Sequence, residues 1–371
     1  MKINNLAVRK HNKQIVFEYM VSQEKVTRPE IAAATGLSLP TVGQITESLE
    51  KDGLISWIGM QDSSGGRRAL GMRVNFEKFC ALGIDITKNH ITFAAVDLAG
   101  RVKACARIRK SFENGNEYRQ SVQNLCNNFL GENGICPDTI IGIGVSLPGI
   151  ISGDQKYLLV SHALKISSPL ELNTPEERKN IRFFNDADAG CLAECFMKDM
   201  PENFNYLSLS NSVGGSMVIE GEIVSGAHRR SGEFGHVCII PKGRKCYCGK
   251  EGHYDPYGSA LLLAQHTEGD ISLFFEKTAQ GDEKLQAVLS EYIEYLAILI
   301  NNIHTSTDLP IVMGGYVGKY LQPYLERIEQ KVKEYDIFTE EDTYIFTSRY
   351  AAEGAALGCA RSMIASFVEN I

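Results

Sequence analysis

Four residues within one short stretch could hold a metal ion. His236, Cys246, Cys248 and His253 follow the spacing H-x9-C-x-C-x4-H, and two thiolates with two imidazoles in one loop suit a closed, tetrahedral zinc site. Gly243, Gly249 and Gly252 supply the turns that bring such ligands inward, while Cys238 lies on the strand side and is expected in the core. A reduced cysteine pair with unrelated histidines is the bland alternative. A second group is Asn185-Asp186-Ala187-Asp188, which follows the predicted strand Ile181-Arg182-Phe183-Phe184 and precedes a helix expected from Ala189. Polar residues just past the carboxyl end of a strand are where α/β sheets place their ligands.

A third group is basic. Residues 1–76 carry ten Lys/Arg against seven Asp/Glu, although the whole chain of 371 residues has a net charge of −7. The front end therefore prefers polyanions and the remainder does not. Asn12 to Met20 predicts an amphipathic helix with Ile15, Val16 and Tyr19 on one face. A second helix is expected after Thr27, with Pro29 in its first turn and Glu30 completing a capping box. Gly36 offers the left-handed conformation that ends it, and Ser38 caps a third helix that buries Val42, Ile45 and Leu49. Thr41, Gln44 and Ser48 are left to face outward, as in a helix-turn-helix that enters a major groove. Strands expected at 53–58 and 70–74 flank a polar tip carrying Arg67 and Arg68, a wing suited to phosphates or the minor groove. The alternative is a small helical module that docks on the rest of the chain.

The elements that must position the first two groups begin at Cys80. Three strands, Ala81–Ile86, Ile91–Asp97 and Val102–Ile108, form a meander, followed by a helix over Tyr118–Leu130 and a strand over Ile140–Ser146. A second meander over 206–223 repeats the first, which predicts two lobes of related topology. Seven single cysteines (Cys80, Cys105, Cys126, Cys136, Cys191, Cys195, Cys359) are expected to be reduced core residues. No apolar run reaches the ~18 residues of a membrane helix and Met1–Lys10 lacks a signal-peptide segment, so the expected location is cytoplasmic.

Several motifs in order resemble the ROK family (repressors, sugar kinases and open reading frames), in its transcriptional-regulator branch. They are Gly65-Gly66-Arg67-Arg68, Asn185-Asp186-Ala187-Asp188-Ala189, Ser231-Gly232-Glu233-Phe234-Gly235-His236, the cysteine cluster and Met313-Gly314-Gly315. The resemblance implies a mainly α winged helix-turn-helix over residues 1–78 joined to an actin-like (ribonuclease H-like) α/β body over 79–371, with lobes at approximately 79–188 and 189–371. It further implies sugar contacts from Asn185, Asp186, Glu233, His236 and Asp255, the last standing where the family usually has glutamate. His253 likewise stands where similar members usually have cysteine. The zinc would then be structural and hold the sugar-binding loop in shape.

In a kinase relative Asp186 would be the general base. Phosphoryl transfer also needs glycine-rich hairpins whose amides meet the phosphate charge. Here Thr87-Lys88-Asn89 and Ser210-Asn211-Ser212 replace those hairpins. No catalytic residue is therefore expected. The leading expectation is a sugar-responsive repressor of carbohydrate-utilisation genes, with operator DNA and a sugar or sugar-phosphate effector as partners, acting as a homodimer or homotetramer away from membranes. An ATP-dependent sugar kinase with an appended DNA-binding domain is the alternative. The doubly substituted Arg67→Ala, Arg68→Ala chain should bind duplex DNA more weakly and with a flatter dependence of log affinity on log salt concentration; an unchanged slope would remove the wing from the interface.

Overall fold

A computed structural model of the chain describes residues 5–60, 70–172, 180–197, 200–337 and 344–371. Arg67 and Arg68 lie outside the described residues. Helix α1 (Asn5–Val21) buries Val16, Phe17 and Met20, whereas Ile15 and Tyr19 are only half-buried. The inward stripe is thus centred one position later than the expected one, where it meets residues of the second and third helices and of the C-terminal helix in one core. Strand β1 (Val26–Thr27) leads into α2 (Arg28–Thr35). The Glu30 carboxylate accepts from the Thr27 backbone N–H at 2.7 Å and from the Thr27 hydroxyl at 2.8 Å. The expected capping box between Thr27 and Glu30 is present, the Thr27 hydroxyl also donating to the carboxylate.

Gly36 adopts φ +70° and its N–H closes on the Ala32 carbonyl, a left-handed stop that any side chain would strain. Helix α3 (Leu39–Lys51) then starts at Ser38, whose Oγ accepts from the Thr41 N–H at 3.3 Å, and it buries Val42, Ile45, Thr46 and Leu49. Strands β2 (Ile55–Met60) and β3 (Leu70–Val74) pair antiparallel, and β1 joins the far side of β3 in the order β1-β3-β2.

The body opens with β4 (Cys80–Ile86), β5 (His90–Asp97) and β6 (Val102–Arg109), an antiparallel meander. After α4 (Asn116–Glu132), β7 (Ile140–Leu147) lies parallel to β4. The short strands β8 (Ile150–Ile151), β9 (Tyr157–Val160) and β10 (Leu170–Glu171) form a separate flap before β11 (Ile181–Asn185) pairs parallel with β7. Helix α5 (Asp186–Cys195) follows immediately.

A second sheet is built in the same way from β12 (Phe204–Leu209), β13 (Val213–Ile219) and β14 (Glu222–Ile223). Helices α6 (Asp255–Gly258), α7 (Ala260–Ala264), α8 (Ile271–Ala279) and the long α9 (Glu283–Thr307) then lead to the parallel strand β15 (Ile311–Gly314). Helices α10 (Gly315–Gly318) and α11 (Leu325–Val332) precede β16 (Ile345–Thr347) and the last helix α12 (Gly354–Glu369). Both sheets have one order, a meander extended by two parallel strands: β6-β5-β4-β7-β11 and β14-β13-β12-β15-β16. The expected duplication is present.

The first sheet has two unlike faces. Leu82, Ile84, Phe93 and Ile143 share a core with Tyr118, Phe129 and Leu130 of α4. The opposite face carries Ala81, Gly83, Gly142, Gly144 and Ser146, small residues in register across β4 and β7. Helix α12 settles on this small-residue face: a Cβ on Gly83 would lie 1.7 Å from the Ala356 carbonyl oxygen, and one on Gly144 2.7 Å from that of Cys359. Helix α12, at the far end of the chain from this sheet, thus crosses back to pack on β4 and β7, whose small residues let its backbone approach.

The same helix closes the core of the N-terminal unit. Val16, Phe17, Leu49 and Met72 belong to one buried cluster with Ala356, Leu357, Met363 and Ile364, and the Lys10 ammonium donates to Asn370 at 2.8 Å. Of the seven single cysteines, Cys80, Cys126, Cys191 and Cys359 are buried, but Cys105 and Cys136 are exposed and Cys195 is half-buried. Cys105 sits on the edge strand β6 and Cys136 in the loop after α4, where no second layer covers them. Among the described residues no helix is long and apolar enough to cross a membrane.

Gly358 lies where α12 crosses α5, and a Cβ there would fall 1.7 Å from the Ala189 carbonyl oxygen. Gly358→Ala should therefore cost about 1–3 kcal/mol of stability by forcing the helices apart, read as a lowered denaturation midpoint; an unshifted midpoint would mean the crossing is not tightly packed.

Candidate functional site

A cleft of about 1100 Å³ runs between the two sheets. Asn185, Asp186, Glu233 and His236, four of the five residues expected to contact sugar, line it. Asn185 ends β11 and caps α5: its Oδ1 accepts from the Ala187 and Asp188 N–H groups at 2.8 and 3.2 Å, and its Nδ2 donates to the Gly149 carbonyl at 2.9 Å. The helix therefore begins at Asp186, three residues before the expected start, and the capping carboxamide keeps one amide hydrogen for a ligand.

Asp186 stands in the first turn of α5. Burial pushes its carboxyl up to about 6, helped by Asp188 and Glu233 and opposed by backbone N–H groups. Asp85, at the end of β4 and only 3% exposed, is raised to about 7 by burial and by Asp186, although the Ser146 hydroxyl across the strand pair donates to it. Asp188 accepts from the Ser216 hydroxyl of the second lobe. The Asp85–Ser146 and Asp188–Ser216 pairs escaped sequence reasoning because each partner lies on a different strand or lobe.

Asp255 departs from expectation. It begins α6, is buried, and its carboxylate accepts from the Val213 N–H at 2.7 Å; it does not line the cleft. The side chain is turned into the protein to anchor the start of β13.

The ligand atoms of His236, Cys246, Cys248 and His253 all lie within 4.8 Å of one another. His253 Nδ1 is 3.3 Å from both His236 Nδ1 and Cys248 Sγ, and Cys246 Sγ is 3.8 Å from His236 Nδ1. Backbone bridges Cys238–His253 and Lys245–Glu251 fold the loop, and Gly252, at φ +84°, lies so close to the Ile240 carbonyl that a Cβ would approach to 2.0 Å. Two thiols and two imidazoles converging in this way can hold a metal ion. Cys238 is exposed, against expectation; the loop uses its backbone and leaves its thiol outside. His236 also joins the two sites, since its Nε2 reaches the Tyr247 hydroxyl at 3.1 Å and lies 3.9 Å from Glu233. Tyr247 in turn packs on His162 of the first lobe, with ring centroids 5.2 Å apart. Neither Tyr247 nor His162 carried a sequence signal.

The ROK family model matches residues 81–365. The chain belongs to the ROK family. It is similar to the xylose repressors of Bacillus subtilis, with 28% identity over 70% of this chain and 69% of that one, and of Bacillus spizizenii, with 27% identity over 98% and 97%. A crystal structure of a ROK family transcriptional regulator, a homologue of the Escherichia coli MLC protein, shares the fold with a TM-score of 0.79 at 21% identity, covering 98% of this chain and 97% of that one.

Within this ROK body the two hairpins that replace glycine-rich loops face the cleft. In the first, the Thr87 hydroxyl accepts from the His90 N–H at 3.1 Å and the Thr87 N–H donates to the His90 carbonyl at 2.9 Å, so the two N–H groups that flank the turn are engaged. In the second, the Ser210 carbonyl accepts from the Ala260 N–H. Gly314 and Gly315 have packing reasons: a Cβ on Gly314 would lie 2.2 Å from the Tyr206 hydroxyl, and one on Gly315 2.6 Å from Ser210 Oγ. Tyr316 next to them lines the cleft, with the Arg107 guanidinium of the first lobe 5.2 Å from its ring. On α3, Gln44 is exposed and Thr41 and Ser48 are half-buried, the Thr41 hydroxyl being 2.8 Å from that of Ser38.

Because the Asp85 carboxyl is raised to about 7 from 3.8, the folded chain keeps a proton that the unfolded chain has released between those values. Its stabilising contribution is full below pH 3.8 and is lost as pH rises through about 7. Asp85→Asn should make the fall in stability across this interval shallower in denaturant titrations at stepped pH. An unaltered pH dependence would mean that Asp85 is ionised throughout.

Proposed function

We propose that this ROK protein is a sugar-responsive transcriptional repressor. Its N-terminal unit acts as a winged helix-turn-helix on operator DNA and its cleft binds a sugar or sugar phosphate. The observation that carries this reading is a shared helix. One end of α12's packing completes the core of the N-terminal unit, and another presses on α5, whose first residues Asn185 and Asp186 line the cleft. A sugar that binds one arrangement of the lobes more tightly shifts the population of that arrangement, and with it the placement of α3.

Gln44 and Ser48 face the DNA in this reading, with Arg67 and Arg68 on the wing. Thr41 serves the Ser38 cap as much as the groove. Two copies would bind a pseudo-palindromic operator, so a homodimer or homotetramer is the working form; the setting is the cytoplasm. Asp186, with its raised carboxyl, supports the kinase alternative. The side chains of Thr87-Lys88-Asn89 and Ser210-Asn211-Ser212, with Tyr316 beside them in the cleft lining, count against it, since phosphate oxygens need close approach to the backbone there. Titration of operator DNA with the full chain across a panel of hexoses, pentoses, amino sugars and their phosphates should reveal at least one that changes the affinity. Sugar-insensitive binding, or ATP-dependent phosphorylation of any panel member, would overturn the proposal.

The His/Cys cluster is proposed to hold a structural zinc, the ion that two thiolates and two imidazoles suit best. Zinc would fix the tautomer of His236 and so the orientation of the loop that carries Glu233. The Cys246→Ser, Cys248→Ser double variant should purify depleted of zinc by elemental analysis, and full occupancy would exclude these ligands.

A further inference from the structure

We propose that the tip of α3 reads thymine by its C5-methyl group, through Leu39 and Pro40. The inference rests on the operator-binding reading above and gives that surface its base preference. Leu39 and Pro40 are the first two residues of α3, and both are exposed, Leu39 by 53%. A scattered exposed leucine needs no explanation. These two, however, occupy the first turn of the second helix in a helix-turn-helix, the part whose side chains meet base edges.

The polar groups around them are already engaged. Ser38 and Thr41 bond to each other. Glu47 pairs with Arg28 at 3.2 Å, and Arg28 also donates to the Thr46 hydroxyl at 2.9 Å and lies over the Trp57 ring. The tip therefore offers a hydrocarbon surface, followed one turn later by the exposed carboxamide of Gln44. The excess of Lys/Arg over Asp/Glu in residues 1–76 supplies the complementary charge for the phosphates on either side.

In the major groove the thymine methyl is the apolar feature; the other base edges present donors and acceptors that would lose water against Leu39 without gaining a partner. Gln44 lies five helical positions after Leu39, a rise of about 7.5 Å. That is about two base-pair steps, so the thymine stands two positions from the base that Gln44 contacts, adenine being its best bidentate partner.

The test uses the full chain and duplexes it selects from a randomised pool, each selected thymine then being replaced singly by deoxyuridine, which removes the methyl and keeps the pairing. One thymine per half-site should prove sensitive, its replacement weakening binding roughly three- to fivefold, the worth of one buried methyl group. The Leu39→Ala chain should bind the thymine and deoxyuridine duplexes equally well at that position. Deoxyuridine tolerated everywhere by the unsubstituted chain, or discrimination retained by Leu39→Ala, would overturn the inference while leaving operator binding intact. Selection of no duplex at all would overturn both.

Discussion

The close seating of α12 on backbone is the constraint from which the remaining architecture follows. One face of the first sheet is lined by Ala81, Gly83, Gly142 and Gly144, so the helix packs against main chain and not against side chains. Where it crosses α5, Gly358 again removes the side chain. Such contacts leave no slack, because protein interiors deform by rearrangement more readily than by compression. The buried Arg361 adds polar ties, donating to the Gly100 and Ala193 carbonyls and to the Tyr350 hydroxyl. A shift of α5 must therefore move α12, and through their common core the N-terminal unit as well.

The chemistry of the cleft follows from what burial does to carboxyl groups. Asp85, Asp186, Asp188 and Glu233 line one space, and desolvation raises all four. Ser146 and Ser216 satisfy two of them with hydroxyl donors, a small-scale version of what a sugar's hydroxyls would do for the others. A polyol is neutral and both donates and accepts, so it suits carboxyls that hover between charge states. A triphosphate brings further negative charge to the same space, where both hairpins present side chains, Thr87-Lys88-Asn89 and Ser210-Asn211-Ser212, in place of bare glycine backbone.

The His/Cys loop connects to this cleft through one imidazole. His236 has one nitrogen among the thiols and His253 and the other beside Tyr247 and Glu233. Whatever fixes the first nitrogen fixes the second, so a structural ion there would order the cleft without touching a ligand.

Much of this was legible in the residues alone. The H-x9-C-x-C-x4-H spacing, the glycine turn at Gly36, the Ser38 cap and the repeated meanders are local features, and local chemistry determines them whatever the surroundings. Other outcomes needed the third dimension. Asp255 follows the His/Cys loop in sequence, yet its carboxylate turns inward to Val213, a partner 42 residues away. Cys238 looked like a core residue from its apolar neighbours, but the loop left its thiol at the surface. The last helix belongs to the first lobe because Gly83, Gly144 and Gly358 come together only once the sheet has formed. Sequence patterns thus determined which elements form and what chemistry they carry, since capping, turn and ligand preferences act over a few residues. Only the tertiary structure decided which carboxyls share the cleft and which helix joins it to the N-terminal unit, because burial and close backbone approach are properties of surfaces brought together from distant parts of the chain.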